Sequence, residues 1–149
     1  MNVADIGSAI ATLFENLTPP TGYTAIQKAT SKLQLSLGKL PAVIVAWGGT
    51  SDITYGFGER KAVVNYTATL YLPKIDSTTD DTALQAWHDV VIDVLHPQVL
   101  LDLSGSPNEV QGAYVRDIQP GEAQVGEPYY AALEISIEVE VWHPVSLTA

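Results

Sequence analysis

The chain contains no cysteine, which excludes disulfide bonds, thiolate metal ligands and cysteine nucleophiles. Basic residues are scarce in its second half. Residues 75–149 hold thirteen acids and one base, Arg116, for a net charge of −12, whereas residues 1–74 hold six bases and four acids, for +2. A nucleic-acid-binding protein needs a basic surface to displace counterions from phosphates. We therefore do not expect this chain to grip DNA or RNA.

Long apolar segments are also lacking. No run approaches the roughly 20 residues that span a bilayer, and the first residues carry no basic stretch ahead of an apolar region, so neither a signal peptide nor a membrane partner is expected. Hydrophobic residues make up 46% of the 149 residues and charged residues 16%, a globular composition. We expect a soluble protein with one domain, residues 1–149.

Two segments have the periodicity of helices. Val3 to Leu17 repeats apolar residues at three- and four-residue steps and is stopped by Pro19-Pro20. The second helix begins near Ser77 to Asp81, which supplies N-cap candidates and first-turn acids. Its predicted buried stripe is Leu84, Trp87, Val91, Val94 and Leu95. His96-Pro97 ends it, and Gln98 to Leu103 is a candidate short turn.

Five segments read as strands. The first, near Thr24 to Lys28, is short. Pro41 to Trp47 is a continuous apolar run, typical of a strand buried on both faces. Lys61 to Leu72 and Tyr130 to Trp142 alternate apolar and polar residues. Val110 to Ile118 completes the set.

Glycine and proline mark the expected breaks between these segments. We predict that Gly48 to Asp52 ends the preceding strand and that Ile53 to Arg60 is a flexible loop or the bend of a hairpin. We predict turns at Pro120-Gly121 and Glu127-Pro128. The element order predicts an α+β fold, a mostly antiparallel sheet with two main helices packed on one face.

The last strand divides its faces clearly. Ala131, Leu133 and alternate residues to Val141 are apolar, while the other face carries Glu134, Glu138 and Glu140. At thirteen residues, about 40 Å, it is longer than usual and is expected to extend beyond the sheet.

Candidate catalytic groups are poorly supported. His88-Asp89 lacks further ligands, since His96 lies roughly 80° around the helix and His143 near the chain end. The glycine pairs Gly48-Gly49 and Gly56-x-Gly58 lead toward strands, whereas a phosphate loop leads into a helix. No Gly-x-Ser-x-Gly elbow exists around Ser104 to Ser106. The Glu138 and Glu140 pair would need an aromatic groove for sugar hydrolysis, with Tyr130 and Trp142 as its flanks.

The layout resembles a known family. It combines an N-terminal helix with five motifs: Leu40-Pro41-Ala42-Val43-Ile44-Val45, a long alternating strand, Leu84-x-x-Trp87-x-Asp89-x-Val91, Tyr114-Val115-Arg116-Asp117-Ile118 and Tyr129-Tyr130-Ala131-Ala132-Leu133-Glu134-Ile135. This pattern, over most of the chain, is similar to the tail terminator (tail completion) proteins of long-tailed bacteriophages. Residues 23–40 match no part of it.

The resemblance implies a structural protein without catalytic residues or cofactors. Members form a ring, usually a hexamer, that caps the tail tube and docks the head connector at the tail–head junction of the virion, after assembly in the host cytoplasm. DNA would pass through without specific binding. We expect Glu134, Glu138 and Glu140 to face that channel. Expected subunit contacts are Trp142, Tyr130 and Arg116, and the expected docking loop contains Gly48, Gly49, Tyr55, Phe57 and Arg60.

Two alternatives stay open. One is another neck or head–tail joining protein, which would bind the connector rather than the tube. The other is a small α+β enzyme that uses His88 and Asp89, or the glutamate pair.

Overall fold

The computed structural model describes residues 3–32, 34, 36–56, 58–95 and 110–144. Its helices are α1, Val3–Glu15, and α2, Ser77–Val94. Its strands are β1, Lys28–Thr30; β2, Ala42–Gly56; β3, Glu59–Leu72; β4, Val110–Gln124; and β5, Tyr129–Pro144. They form one sheet in the order β1-β2-β3-β5-β4, with β1 parallel to β2 and the other pairs antiparallel. The predicted α+β class is confirmed.

The two central strands build the core. Alternate residues of β5 from Ala131 to Val141 are at most 2% exposed, and the register places them opposite the buried residues of β3. Both predicted alternations are therefore confirmed. The expectation that β5 extends beyond the sheet was wrong, because β3 pairs with it from Leu72↔Ala131 to Glu59↔Pro144.

The helices cover the core with the residues that their periodicity selects. Ile6, Ile10 and Phe14 of α1 are at most 1% exposed, and Trp87 and Val91 of α2 are fully buried. The prediction of a buried stripe on α2 was wrong at Val94, the last residue of the helix, which is 39% exposed. α1 contacts β1, β2 and β3, whereas α2 contacts β5. Both helices join one cluster of buried residues, and their placement on one face of the sheet stays a prediction.

The region predicted to contain the docking loop is a bulged hairpin, and its bend, between Gly56 and Glu59, lies within the predicted Ile53 to Arg60. β2 runs through Gly48-Gly49 and Tyr55 to Gly56, and β3 already includes Arg60. Register shifts occur between Trp47 and Thr50 and between Ser51 and Thr54. Gly49 (φ 104°) lies in the first bulge and accepts the positive φ that such an extra residue requires. The glycines bend the strand rather than end it. Phe57 lies outside the described residues.

Other boundaries also differ from prediction. β1 begins at Lys28, four residues beyond the predicted start. The apolar run of β2 packs on both faces from Ala42 to Val45, but Ala46 and Trp47 at its end are exposed, against prediction. β4 continues through Pro120-Gly121, where a turn was predicted. Proline is tolerated there because β4 is an edge strand, whose outer side needs no ladder donor.

The turn at Glu127-Pro128 is confirmed as the connection between β4 and β5, with the Val125 N–H donating to the Pro128 carbonyl at 3.2 Å. The candidate short turn over Gln98 to Leu103 lies outside the described residues. Neither α1 nor α2 is long and apolar enough to cross a membrane.

α2 is capped by Asp76, one residue ahead of the predicted candidates. Its carboxylate accepts the Thr79 N–H at 2.7 Å and the Thr79 hydroxyl at 2.9 Å. The backbone bond first, and then the hydroxyl bond, lower the pKa of Asp76 below its ordinary 3.8. The ionised carboxylate thus stabilises the first turn, where the helix dipole also favours negative charge.

We expect Asp76→Ala to lower the midpoint of thermal unfolding at pH 7, and Asp76→Asn, which keeps a capping oxygen, to lower it much less. Because the pKa of Asp76 is depressed in the folded state, the stabilisation is present above pH 3.8 and is lost as pH falls through the lowered pKa. Thermal unfolding of the three proteins between pH 2 and 7, followed by circular dichroism, measures this. The prediction would be contradicted if the unfolding midpoint of Asp76→Ala lay as far below that of the wild type at pH 2 as at pH 7.

Candidate functional site

The acidic face, defined by Asp117, Glu134, Glu138 and Glu140, lies on the side of β4 and β5 opposite the buried alternation. The register sets Glu134 between Thr69 and Gln119, and Glu138 between Asn65 and Tyr114. Asp117 pairs with Ser136 on the same side. Carboxylates therefore stand among uncharged polar side chains. Glu134 and Glu140 are exposed, and Glu138 is half-buried.

Arg116 is turned toward this face. Its Nη1 lies 3.3 Å from Oε2 of Glu138, with side chains 62% and 30% exposed. An ion pair this exposed contributes at most about 1 kcal/mol. The pair links Glu138 of β5 to the neighbouring strand β4. The acidic face keeps three other carboxylates.

One end of the same sheet side is closed by aromatic packing. The rings of Tyr71 and Tyr130 meet edge to face with centroids 5.9 Å apart, beside a small buried cluster of Leu37, Ala42 and Val125. Tyr130 thus has an internal partner. Burial raises the pKa of Tyr71; a hydrogen bond with the Thr69 side chain opposes this, and the charge of Glu134 adds to it.

Trp142 lies at the other end of β5. Its indole N–H donates to Oε2 of Glu59 at 2.7 Å, and Glu59 is also 3.8 Å from the Lys61 ammonium. Trp142 and Tyr130 are twelve residues apart on one strand, roughly 40 Å. The structure therefore does not bring the predicted subunit contacts Trp142, Tyr130 and Arg116 together as one patch.

Sequence reasoning missed the exposure of Trp47 on β2, whereas it placed Tyr55 in the expected docking loop. Trp47 is 58% exposed, although alternation with Val43 and Val45 places it on the buried side of the sheet. It is exposed because β1 pairs with β2 only from Ala42 to Ile44, so β2 is the sheet edge beyond that point. Tyr55, near the hairpin turn, is 75% exposed. A very short β1 was the only sequence signal for this.

His88 lies over β4, between two shallow clefts of about 270 and 220 Å³. Its Nδ1 is 3.1 Å from the Asp89 carboxylate, with side chains 45% and 78% exposed. Arg116, Asp117 and Ile118 line one cleft with it, a proximity that the sequence did not predict. Within the described ranges, no three His, Asp or Glu side chains are placed to hold a metal ion. Ser104 to Ser106 lies outside those ranges.

Comparison of the sequence with models of known protein families gives no match, and comparison with curated proteins gives no significant match.

We expect Glu134→Gln to lower the pKa of Tyr71, because it removes the negative charge that disfavours the phenolate, while burial keeps that pKa above its ordinary 10.0. Because the pKa of Tyr71 is raised in the folded state, its contribution to the free energy of unfolding is fully present below the ordinary tyrosine pKa of 10.0. That contribution is lost as pH rises through the raised pKa. NMR titration of ring-labelled tyrosine measures the shift. Glu140→Gln, farther along β5, is the matched control, and an equal shift in both variants would contradict the assignment.

Proposed function

We propose that this chain is a structural subunit of a long-tailed phage particle, which forms a ring of six copies on the end of the tail tube and docks the head connector. It would work at the tail–head junction of the virion after assembly in the host cytoplasm. No catalytic step and no cofactor enter the proposal.

The acidic face is the observation that carries it. Four carboxylates stand on one side of β4 and β5, and in the described part of the chain Arg116 is the one base shown within ion-pair distance of any of them. Like charge repels phosphates, so such a surface suits the wall of a channel that DNA passes without sticking.

The distribution of charge supports self-association. The sheet order sets β1, β2 and β3, from the half with net charge +2, beside β5 and β4, from the half with −12. Residues 16–51 contain three lysines and no acid. The β1 side of the molecule thus carries little net charge and the β4 side is strongly acidic, an asymmetry that favours heterologous, head-to-tail contacts between copies. Such contacts close into rings when the rotation between copies permits.

Purified protein is expected to form a ring with a central hole, visible by negative-stain electron microscopy and sedimenting as one oligomer at micromolar concentration. Purified tail tube protein should bind it. Capture of the head connector alone would favour the alternative of another neck protein. A monomer at every concentration and salt condition would overturn the proposal.

The channel placement has its own test. Because the natural chain has no cysteine, Glu140→Cys can be labelled with a gold cluster and located in the assembled ring by electron microscopy. Asp89→Cys on α2, 78% exposed, is the matched control. We expect the gold label on residue 140 in the central hole and the label on residue 89 elsewhere. A label on residue 140 at the outer rim would contradict the channel placement without contradicting ring formation.

An enzyme is the second candidate, favoured only by the cleft that places His88 beside residues of β4. It requires His88→Ala to abolish a hydrolase or transferase activity that the wild type shows in a broad substrate screen. Unchanged ring formation by His88→Ala, without activity in either protein, is the result expected from the structural role.

A further inference from the structure

An apolar cavity of about 220 Å³ lies at the N-terminal end of α2. Pro41, Leu72, Ala83 and Trp87 form its apolar wall, and Asp80 lies on its lining as well. This volume is below the range of about 300 to 1,000 Å³ that is usual for sites of small molecules. It is large enough for one aromatic ring, since an apolar cavity of about 150 Å³ accepts benzene. The cavity therefore suits a single inserted side chain.

Trp87 gives this cavity an aromatic wall. Its side chain is fully buried and lines the cavity. Aromatic rings pack favourably against one another in offset or edge-to-face arrangements, so an aromatic side chain suits this wall.

A side chain of that kind projects from the other end of the molecule. Tyr55 is 75% exposed, the most exposed of the large hydrophobic residues that the structure describes. It lies one residue before the end of β2, and the register places Arg60 directly across from it on β3. The hairpin holds Tyr55 on a regular ladder, so its ring is presented by a defined backbone.

The cavity and Tyr55 cannot meet within one copy. β3 starts at Glu59 beside the hairpin turn and ends at Leu72, which lines the cavity. Thirteen residue steps along a strand correspond to roughly 40 Å. Only a second copy can bring a Tyr55 to this cavity.

The charges around the two surfaces are complementary. The N-cap residue of α2, Asp76, and its first-turn acid, Asp80, lie at the cavity end of the molecule, and Asp80 lines the cavity. Arg60 accompanies Tyr55, and the acid beside it, Glu59, already accepts the Trp142 indole N–H. An arginine next to an aromatic anchor is a frequent combination at the energetic centre of interfaces. Ile75, 68% exposed and also on the cavity lining, would be covered by the same contact.

We infer that Tyr55 of one copy inserts into the cavity beside Trp87 of the next copy, with Arg60 against the acidic first turn of α2. The inference rests on the proposed self-association and names the contact that produces it. The two halves of this contact are different surfaces on one chain. Each copy therefore uses its hairpin toward one neighbour and its cavity toward the other, which is a heterologous interface.

Two variants test this contact separately. Tyr55→Ala removes the inserted ring from an exposed position, and Ala83→Trp fills the cavity. Each is expected to weaken self-association roughly tenfold or more, as removal of an aromatic anchor does, measured by sedimentation velocity over a concentration series. Tyr114→Ala, an exposed aromatic on β4, is the matched control and should assemble as the wild type does. Circular dichroism checks that Ala83→Trp keeps the fold.

Mixing the two variants gives the decisive result. Tyr55→Ala keeps an intact cavity, and Ala83→Trp keeps an intact Tyr55, so together they have one functional contact. The mixture is expected to form a one-to-one dimer and nothing larger. A double variant, Tyr55→Cys with Ala83→Cys, should give a ladder of disulfide-linked oligomers under mild oxidation, since the natural chain has no cysteine.

The outcomes separate the contact from the function. Rings of both Tyr55→Ala and Ala83→Trp as stable as those of the wild type would overturn this inference and leave the proposed ring standing. A wild type that stays monomeric at all concentrations would overturn both. Full-size rings from the mixture, without dimers, would also reject the insertion of Tyr55.

Discussion

The pairing of β3 with β5 is the interaction on which the rest of the molecule depends. These strands are adjacent in the sheet although the whole of α2 and β4 separates them in sequence, and they pair over fourteen consecutive positions. Their buried residues face the same side at every second step. Side chains such as Ile135 and Ile137, at most 1% exposed, each contribute about 1.5 to 3 kcal/mol through burial. A slip of one residue would turn these side chains to solvent and the glutamates into the core, so the register is strongly specified.

That register also creates the polar surface. Because the buried side of β5 takes the alternate apolar residues from Ala131 to Val141, the glutamates of β5 share the other side. The polar neighbours that β3 and β4 place beside them there are Asn65, Thr69 and Gln119. Core and acidic face are thus two consequences of one alternation. The stability of the sheet depends mainly on the apolar residues of the buried side. The residues on the other side are therefore less constrained by folding and can serve a function.

The edges of the sheet determine how it can contact another chain. β1 covers only three residues of β2, so the rest of β2 is an edge that carries Trp47 and Tyr55 in solvent. Natural edges are usually blunted by bulges, charges or proline. β2 has two bulges and β4 has two bulges with Pro120, which disfavour continuous pairing with another chain along either edge. Side-chain insertion at the ends of the sheet is therefore more compatible with this fold than addition of strands at its edges.

The sequence by itself determined the features that depend on local periodicity: both helices, the long strands β3 and β5, the buried residues on each, the turn at Glu127-Pro128 and the acidic side of β5. A period of two or of 3.6 is visible in the residues themselves. Tertiary structure decided where glycine and proline act as breaks. Gly48-Gly49 became a bulge because β3 continues alongside, and Pro120 stays in a strand because no described strand pairs with the outer side of β4. It also decided that Trp47 is exposed, that Trp142 is held by Glu59, and that Tyr55 and the cavity beside Trp87 lie at opposite ends of the sheet. These depend on which segments become neighbours, and no single segment contains that information.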